Sequence, residues 1–177
     1  MTIVAERIAG LTGTRWVGID GFGASGKTTL AERMAAAIPT AVVVHVDDFA
    51  RPDVRGWERD RFTAQLLKPL LDGRVARYQR WDFARNAGAG WAQVPPGVPV
   101  IVEGVSSTDV RVGVPWDLTL WVDVPEAVRR HRIEERDGAA LRERWLTDWI
   151  PMEEAYVRDQ RPQERVDLVV DGVGDLG

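Results

Sequence analysis

The sequence predicts an α/β fold in three layers: a five-stranded, mostly parallel sheet with helices on both faces. Three observations predict it. Five short apolar runs, 15–20, 41–46, 98–102, 118–122 and 166–170, read as strands. Segments with helical composition fall between them, and the connections are too long for hairpins, so the strands should run parallel. Finally, 41–46 and 98–102 are almost wholly β-branched, as strands covered on both faces tend to be.

Taken in order, residues 1–13 read as a short amphipathic helix and a turn, with Ile3, Val4, Ile8 and Leu11 at helical spacing. The strand at 15–20 runs into a loop of small residues at 21–26. A helix of good formers follows over 27–38 and is stopped by Pro39. The strand at 41–46 ends at Asp47-Asp48. Pro52 and Gly56 mark 49–57 as loop, and 58–71 reads as a helix whose far end Pro69 complicates. Residues 74–96 look irregular, with extended pieces around Tyr78 and Trp81 and a flexible stretch at 86–90. The next strands close at Glu103 and Asp123. Pro125 opens an arginine-dense helix over 126–137. A second helix spans about 139–161, with Pro151 as a kink or break, and 166–170 is the last strand. Repeats, low-complexity tracts and linkers are lacking in the sequence, so 1–177 is expected to be one domain, with a lid segment at about 126–140.

Composition narrows the function. The 177 residues carry a formal net charge of −4, with 45% hydrophobic and 28% charged residues, which fits a globular protein and not a disordered one. A pI of about 5.3 argues against general nucleic-acid binding, which needs a basic face. The lack of cysteine excludes disulfides, thiolate zinc sites, iron–sulfur clusters and a cysteine nucleophile. No apolar run reaches the roughly 20 residues of a membrane span, and the first residues lack a signal-peptide pattern. A cytoplasmic monomer or homodimer without membrane or nucleic-acid partners is expected.

Gly21-Phe22-Gly23-Ala24-Ser25-Gly26-Lys27-Thr28 fits G-x-x-x-x-G-K-[ST] at every fixed position. A chain this long meets that pattern by chance about 0.5% of the time, and here a strand precedes it and a helix follows. The pattern has a mechanism. Glycines let the backbone turn its N–H groups onto a polyphosphate, and the helix N-terminus aims its donors at the same anion. Lys27 brings a positive charge to the β- and γ-phosphates, and the Thr28 hydroxyl can ligate Mg²⁺. Lys27 is one of only two lysines, the other being Lys68.

Ligands of open parallel sheets sit beyond the carboxyl ends of the strands. Asp47-Asp48, Glu103 and Asp123 all lie there. Glu103, after an apolar strand, suits a magnesium-side acid. Asp47 suits a base for a hydroxyl attacking a γ-phosphate. Asp123, just before Pro125, reads as a turn or cap residue. Arg129, Arg132 and Arg136 are spaced three and four apart and share a helical face. Of these, Arg132 and Arg136 are assigned to neutralising charge in phosphoryl transfer. Among the eight tryptophans, Trp16, Trp121 and Trp145 read as core, while Trp57, Trp81 and Trp91 could wall an acceptor pocket. His45 and His131 read as structural or surface residues. Asp53-Val-Arg-Gly56 does not follow a strand and no N-K-x-D occurs, which excludes a GTPase reading.

Together these residues resemble the uridine kinase-like branch of P-loop small-molecule kinases. The resemblance rests on G-F-G-A-S-G-K-T-T (21–29), V-D-D-F (46–49), W-D-F (81–83), V-I-V-E-G-V (100–105), R-I-E-E-R-D (132–137) and V-D-L-V-V-D (166–171), in the family's order. It implies a three-layer P-loop NTPase fold of the nucleoside-monophosphate-kinase type, with a short arginine-bearing lid. It implies ATP as donor, Mg²⁺ as cofactor and a hydroxyl-bearing small molecule, such as a nucleoside, as acceptor. The loop through Thr29 would hold ATP, Thr28 and Glu103 the metal. Lys27, Asp47, Arg132 and Arg136 would act in catalysis, with Asp48, Phe49, Trp81, Asp82 and Arg129 contacting the acceptor. Two departures stand out: Ile133 replaces a lid arginine, and Trp57-Glu58-Arg59 replaces the family's acidic ribose motif. The alternative is a nucleotide-binding module or slow NTPase acting through a protein partner.

Overall fold

The structure, a computed structural model, describes residues 13–82, 85–138 and 141–174. The helix expected over 1–13 falls almost wholly outside the described residues, as do Phe83 and residues 139–140 of the lid. Seven strands are described: β1 (Arg15–Asp20), β2 (Val42–His45), β3 (Ala76–Asp82), β4 (Ala87–Val94), β5 (Pro99–Glu103), β6 (Leu118–Asp123) and β7 (Leu168–Asp171). Five form one sheet in the order β2-β5-β1-β6-β7, parallel throughout. The α/β class and the five-stranded parallel sheet are therefore as expected.

Alternation along the strands builds two cores. Trp16, Val44, Val100 and Val102 face one side, where they meet Phe49, Phe62, Leu66 and Tyr78. Val17, Ile19, Ile101, Leu120 and Val122 face the other and bury Leu30, Ala31 and Met34 of α1 (Lys27–Ala37). The expectation that 41–46 is covered on both faces fails. β2 is an edge strand, half-buried except at Val44, and the chain leaves it through a 3₁₀ turn over Val46–Phe49.

The irregular reading of 74–96 is also corrected. β3 and β4 form an antiparallel pair of their own, Ala76 opposite Val94 and Asp82 opposite Ala87. Its glycine-rich second strand and a register shift between Gln79 and Trp81 break the alternation by which a hairpin is read.

Both prolines in helices are absorbed the same way. Helix α2 runs through Arg59–Phe62, a π turn at Thr63–Leu67, and Lys68–Leu71; helix α4 runs through Arg142–Arg144, a π turn at Trp145–Trp149, and Ile150–Gln160. Pro69 and Pro151 each lie two residues past the wide turn. That turn carries the chain beyond a residue that cannot donate an N–H and would strike the carbonyl four residues back. Pro151 is therefore passed without a break. Among the described residues, no helix is long and apolar enough to cross a membrane.

Candidate functional site

The glycine-rich loop joins β1 to α1 at the carboxyl edge of the sheet, with β5 and β6 on either side. Its conformation comes from glycine. Gly26 enters α1 at φ 100°, a left-handed value that costs a side-chain-bearing residue about 1 kcal/mol or more. Ala24, at φ 59°, accepts that cost. The Lys27 ammonium donates to the Phe22 carbonyl at 2.7 Å and so closes the loop on itself. Ser25 Oγ is buried in the loop with no hydrogen-bond partner in the structure. Thr28 and Thr29 face solvent.

The loop is held from behind by Asp20, fully buried at the end of β1. Its Oδ1 accepts the Gly21 and Ser106 amides at 2.8 and 2.9 Å. Its Oδ2 accepts the Thr108 amide, the Thr108 hydroxyl and the Tyr156 hydroxyl at 3.1, 2.7 and 2.6 Å.

In front of the loop, Glu103 is buried at the end of β5, and the Thr28 hydroxyl donates to its Oε1 at 3.2 Å. His45, opposite Glu103 in the β2–β5 register, reaches the same oxygen with Nδ1 at 2.5 Å. That hydrogen bond raises the imidazole pKa against the opposing pull of burial. Asp47 lies open to water at the mouth of the cleft, yet protein atoms wall it closely. The crowding pushes its carboxyl above the usual carboxylate range, and the charge of Glu103 pushes the same way, against Lys27, His45 and Arg136. Thr28, Lys27, Glu103, Asp47 and Arg136 are thus brought to one cleft. Thr28 and Glu103 present hard oxygens and suit Mg²⁺, which takes one or two protein oxygens beside phosphate and water. No group of three or more acidic, histidine or cysteine side chains arranged for a metal occurs among the described residues.

The arginine helix α3 (Glu126–Asp137) is divided in its contacts. Arg136 pairs with Asp137 at 2.7 Å and faces Asp47 across the cleft. Arg132 turns to backbone oxygens instead, donating to Ala24 at 3.3 Å, Ser25 at 3.4 Å and Gly172 at 2.9 Å. Arg129 is buried over the Phe22 ring at 4.1 Å, with Glu153 3.7 Å away. It serves the packing of the loop where an acceptor contact was expected.

The acceptor residues read from the two short aromatic motifs are corrected in part. Phe49 is fully buried, stacked on Tyr78 at 4.9 Å and edge-on to Phe62 at 5.2 Å, so it supports the cleft from the core. Asp82 accepts the Arg85 amide at 3.0 Å. Trp81 lies under the Arg51 guanidinium at 5.6 Å. Trp57 is buried and donates to Ser106 at 3.0 Å. Asp48 does face open space: a cavity of about 450 Å³ beside His45, lined also by Tyr78, Arg80, Trp91 and Gln93. Sequence reasoning missed His45, Tyr78, Arg80 and Glu153. For His45 a signal existed, because aligning the ends of β2 and β5 sets it opposite Glu103.

No family model matches the chain. A uridine kinase of Borrelia turicatae (strain 91E135) is 29% identical over 136 residues, 68% of this chain and 66% of the relative, so the match spans just under two thirds of that protein. A structure described as a possible uridine kinase from Bacillus stearothermophilus superposes with a TM-score of 0.73 at 20% identity, covering 96% of each chain. A candidate fructose transport system kinase from Silicibacter sp. TM1040 also gives 0.73, at 23% identity, covering 94% of this chain and 95% of the other. In sequence the chain is uridine kinase-like at modest identity, and its fold is that of these P-loop kinase structures.

Proposed function

We propose that the protein is an ATP- and Mg²⁺-dependent kinase of the cytoplasm that transfers the γ-phosphate to a hydroxyl of a small molecule. The observation that carries this reading is the convergence at the glycine-rich loop of Lys27, Thr28, Glu103, Asp47 and Arg136, with the Thr28 hydroxyl donating to Glu103 at 3.2 Å and Asp47 in the fields of Lys27 and Arg136. A module that only bound nucleotide would not need a carboxylate so placed, and Asp48, the next residue, opens on a groove lined by His45, Arg80 and Trp91.

The loop, from Gly21 through Thr29, holds the triphosphate, and Thr28 with Glu103 holds the metal. Bound Mg²⁺ offsets phosphate charge and helps orient the γ-phosphate. The acceptor hydroxyl lies against Asp47. Its oxygen forms a bond to the γ-phosphorus as the bond to the β-bridging oxygen breaks; ADP leaves and Asp47 takes the hydroxyl proton. Lys27 and Arg136 balance the charge that spreads over the transferring group. Arg132 braces the loop carbonyls, and closure of 126–138 excludes water. The named relatives make nucleosides and sugars the first acceptors to test, with Asp48, Arg80 and Gln93 as polar contacts and Trp91 as a stacking face.

A phosphate-transfer screen over nucleosides, sugars and vitamins tests this. Transfer to one class is expected, and Asp47→Asn should keep ATP binding while abolishing transfer. ADP release from ATP alone, unchanged by every acceptor, would count against a kinase. Near-normal transfer by Asp47→Asn would remove the assigned base.

A further inference from the structure

We infer that helix α4 fixes the anion-binding form of the phosphate loop, with Glu153 as the positioning residue. The inference rests on reading that loop as the triphosphate site, and it concerns a part of the chain that lies 130 residues away in sequence.

Glu153 is 3% exposed, and its two carboxylate oxygens lie 3.2 and 3.1 Å from the Gly23 amide. Gly23 is a free position in the G-x-x-x-x-G-K-[ST] pattern, yet here it must be glycine: a Cβ would sit 2.6 Å from Trp145 Cη2 and 2.8 Å from Glu153 Oε1. Tyr156, three residues on and on the same helical face, donates to Asp20 at 2.6 Å, and Asp20 in turn holds the Gly21 amide at 2.8 Å. α4 therefore grips the loop twice, at Gly23 directly and at Gly21 through Asp20. Arg129 closes the contact by lying between Phe22 and Glu153.

A loop of small residues has many conformations, and ordering each one costs about 1–2 kcal/mol. A binding site that must order itself on the ligand loses that cost from its affinity. The grip from α4 settles part of it before nucleotide arrives. The working group is the acceptor oxygen of residue 153. Its charge faces the Arg129 guanidinium 3.7 Å away, while its oxygens hold the loop amide.

Two variants of the full chain separate the alternatives. Glu153→Gln keeps an acceptor oxygen; Glu153→Leu keeps the bulk and removes it. Hydrogen exchange of 21–28 is followed in nucleotide-free protein, and Mg·ATP binding by calorimetry. With Glu153→Leu, loop exchange should quicken and the Kd for Mg·ATP should rise, each about tenfold, the effect of one lost buried hydrogen bond. The KM for ATP should suffer more than kcat, and Glu153→Gln, which keeps the acceptor oxygen but loses the charge facing Arg129, should fall between the parent and Glu153→Leu on every measure. Parent-like exchange and binding in Glu153→Leu would overturn the inference. So would tighter ATP binding by Glu153→Gln, which would make the carboxylate a competitor of phosphate. If Glu153→Leu does not fold, Tyr156→Phe removes the other grip, and unchanged loop exchange there counts against the inference. A parent protein silent toward Mg·ATP would bring down the kinase reading, while the exchange data still decide the role of α4.

Discussion

Gly23→Ala is the smallest change that probes how closely α4 seats on the phosphate loop. Gly23 has no positive φ, so alanine carries no backbone penalty there, and its whole cost comes from contact. The added Cβ would meet Trp145 Cη2 at 2.6 Å, Trp145 Cζ3 at 2.7 Å and Glu153 Oε1 at 2.8 Å, all inside van der Waals separation. The indole cannot simply swing away. Its Nε1 donates to Asp137 at 2.7 Å, and its ring packs edge-on against Trp149 at 4.7 Å. Overpacking of a closed contact costs about 1–3 kcal/mol. For a chain of this size, each kcal/mol moves Tm by roughly 2–4 °C, so a fall of roughly 2–12 °C is expected.

The assay is a thermal or urea melt of a double-mutant cycle with Trp145→Phe, whose smaller ring withdraws the two clashing carbons. The two changes should couple by at least about 0.5 kcal/mol, with the double variant recovering part of the loss. Recovery stays partial because Glu153 still crowds the new methyl. A Gly23→Ala protein as stable as the parent, with effects that merely add, would refute the close seating of α4 and the reason given for glycine at this position.

Three further outcomes follow from the cleft and its support. With Asp47 as the proposed base and its carboxyl raised, kcat/KM should be level at high pH and fall as pH drops through that raised pKa. Arg136→Gln removes a charge that favours the ionised form, so this acid limb should move to higher pH; a limb that stays put or moves down would contradict the influence of Arg136 on Asp47. Phe49→Ala should cost about 3–5 kcal/mol, a large aromatic lost from a closed core, and lower Tm by roughly 6–20 °C. Unchanged stability with acceptor binding lost would instead make Phe49 a substrate contact.

What could be read from the sequence divides by the range of the interactions involved. The phosphate loop was legible because its glycine spacing answers a local backbone demand, and a strand and a helix adjoin it. The places of Glu103 and Asp47 at the carboxyl edge were legible because an acid closing an apolar run lies where the strand ends; their roles there are proposals. β2 as an edge strand was not legible, since β-branched residues suit a pleated surface whether one face or two is covered. The hairpin was hidden because Gly88, Gly90 and Asn86 look like flexibility when the partner strand is unknown. The helix α3 shows the same limit. Spacing placed Arg129, Arg132 and Arg136 on one face, but that face meets three different things: the Phe22 ring with Glu153, the carbonyls behind the loop, and the open cleft. A shared face therefore does not imply a shared task. Glu153 marks the far end of this scale. Nothing within its own helix distinguishes it from Glu154, and only the fold, by laying α4 across the loop, gives one of two adjacent acids a buried amide to hold.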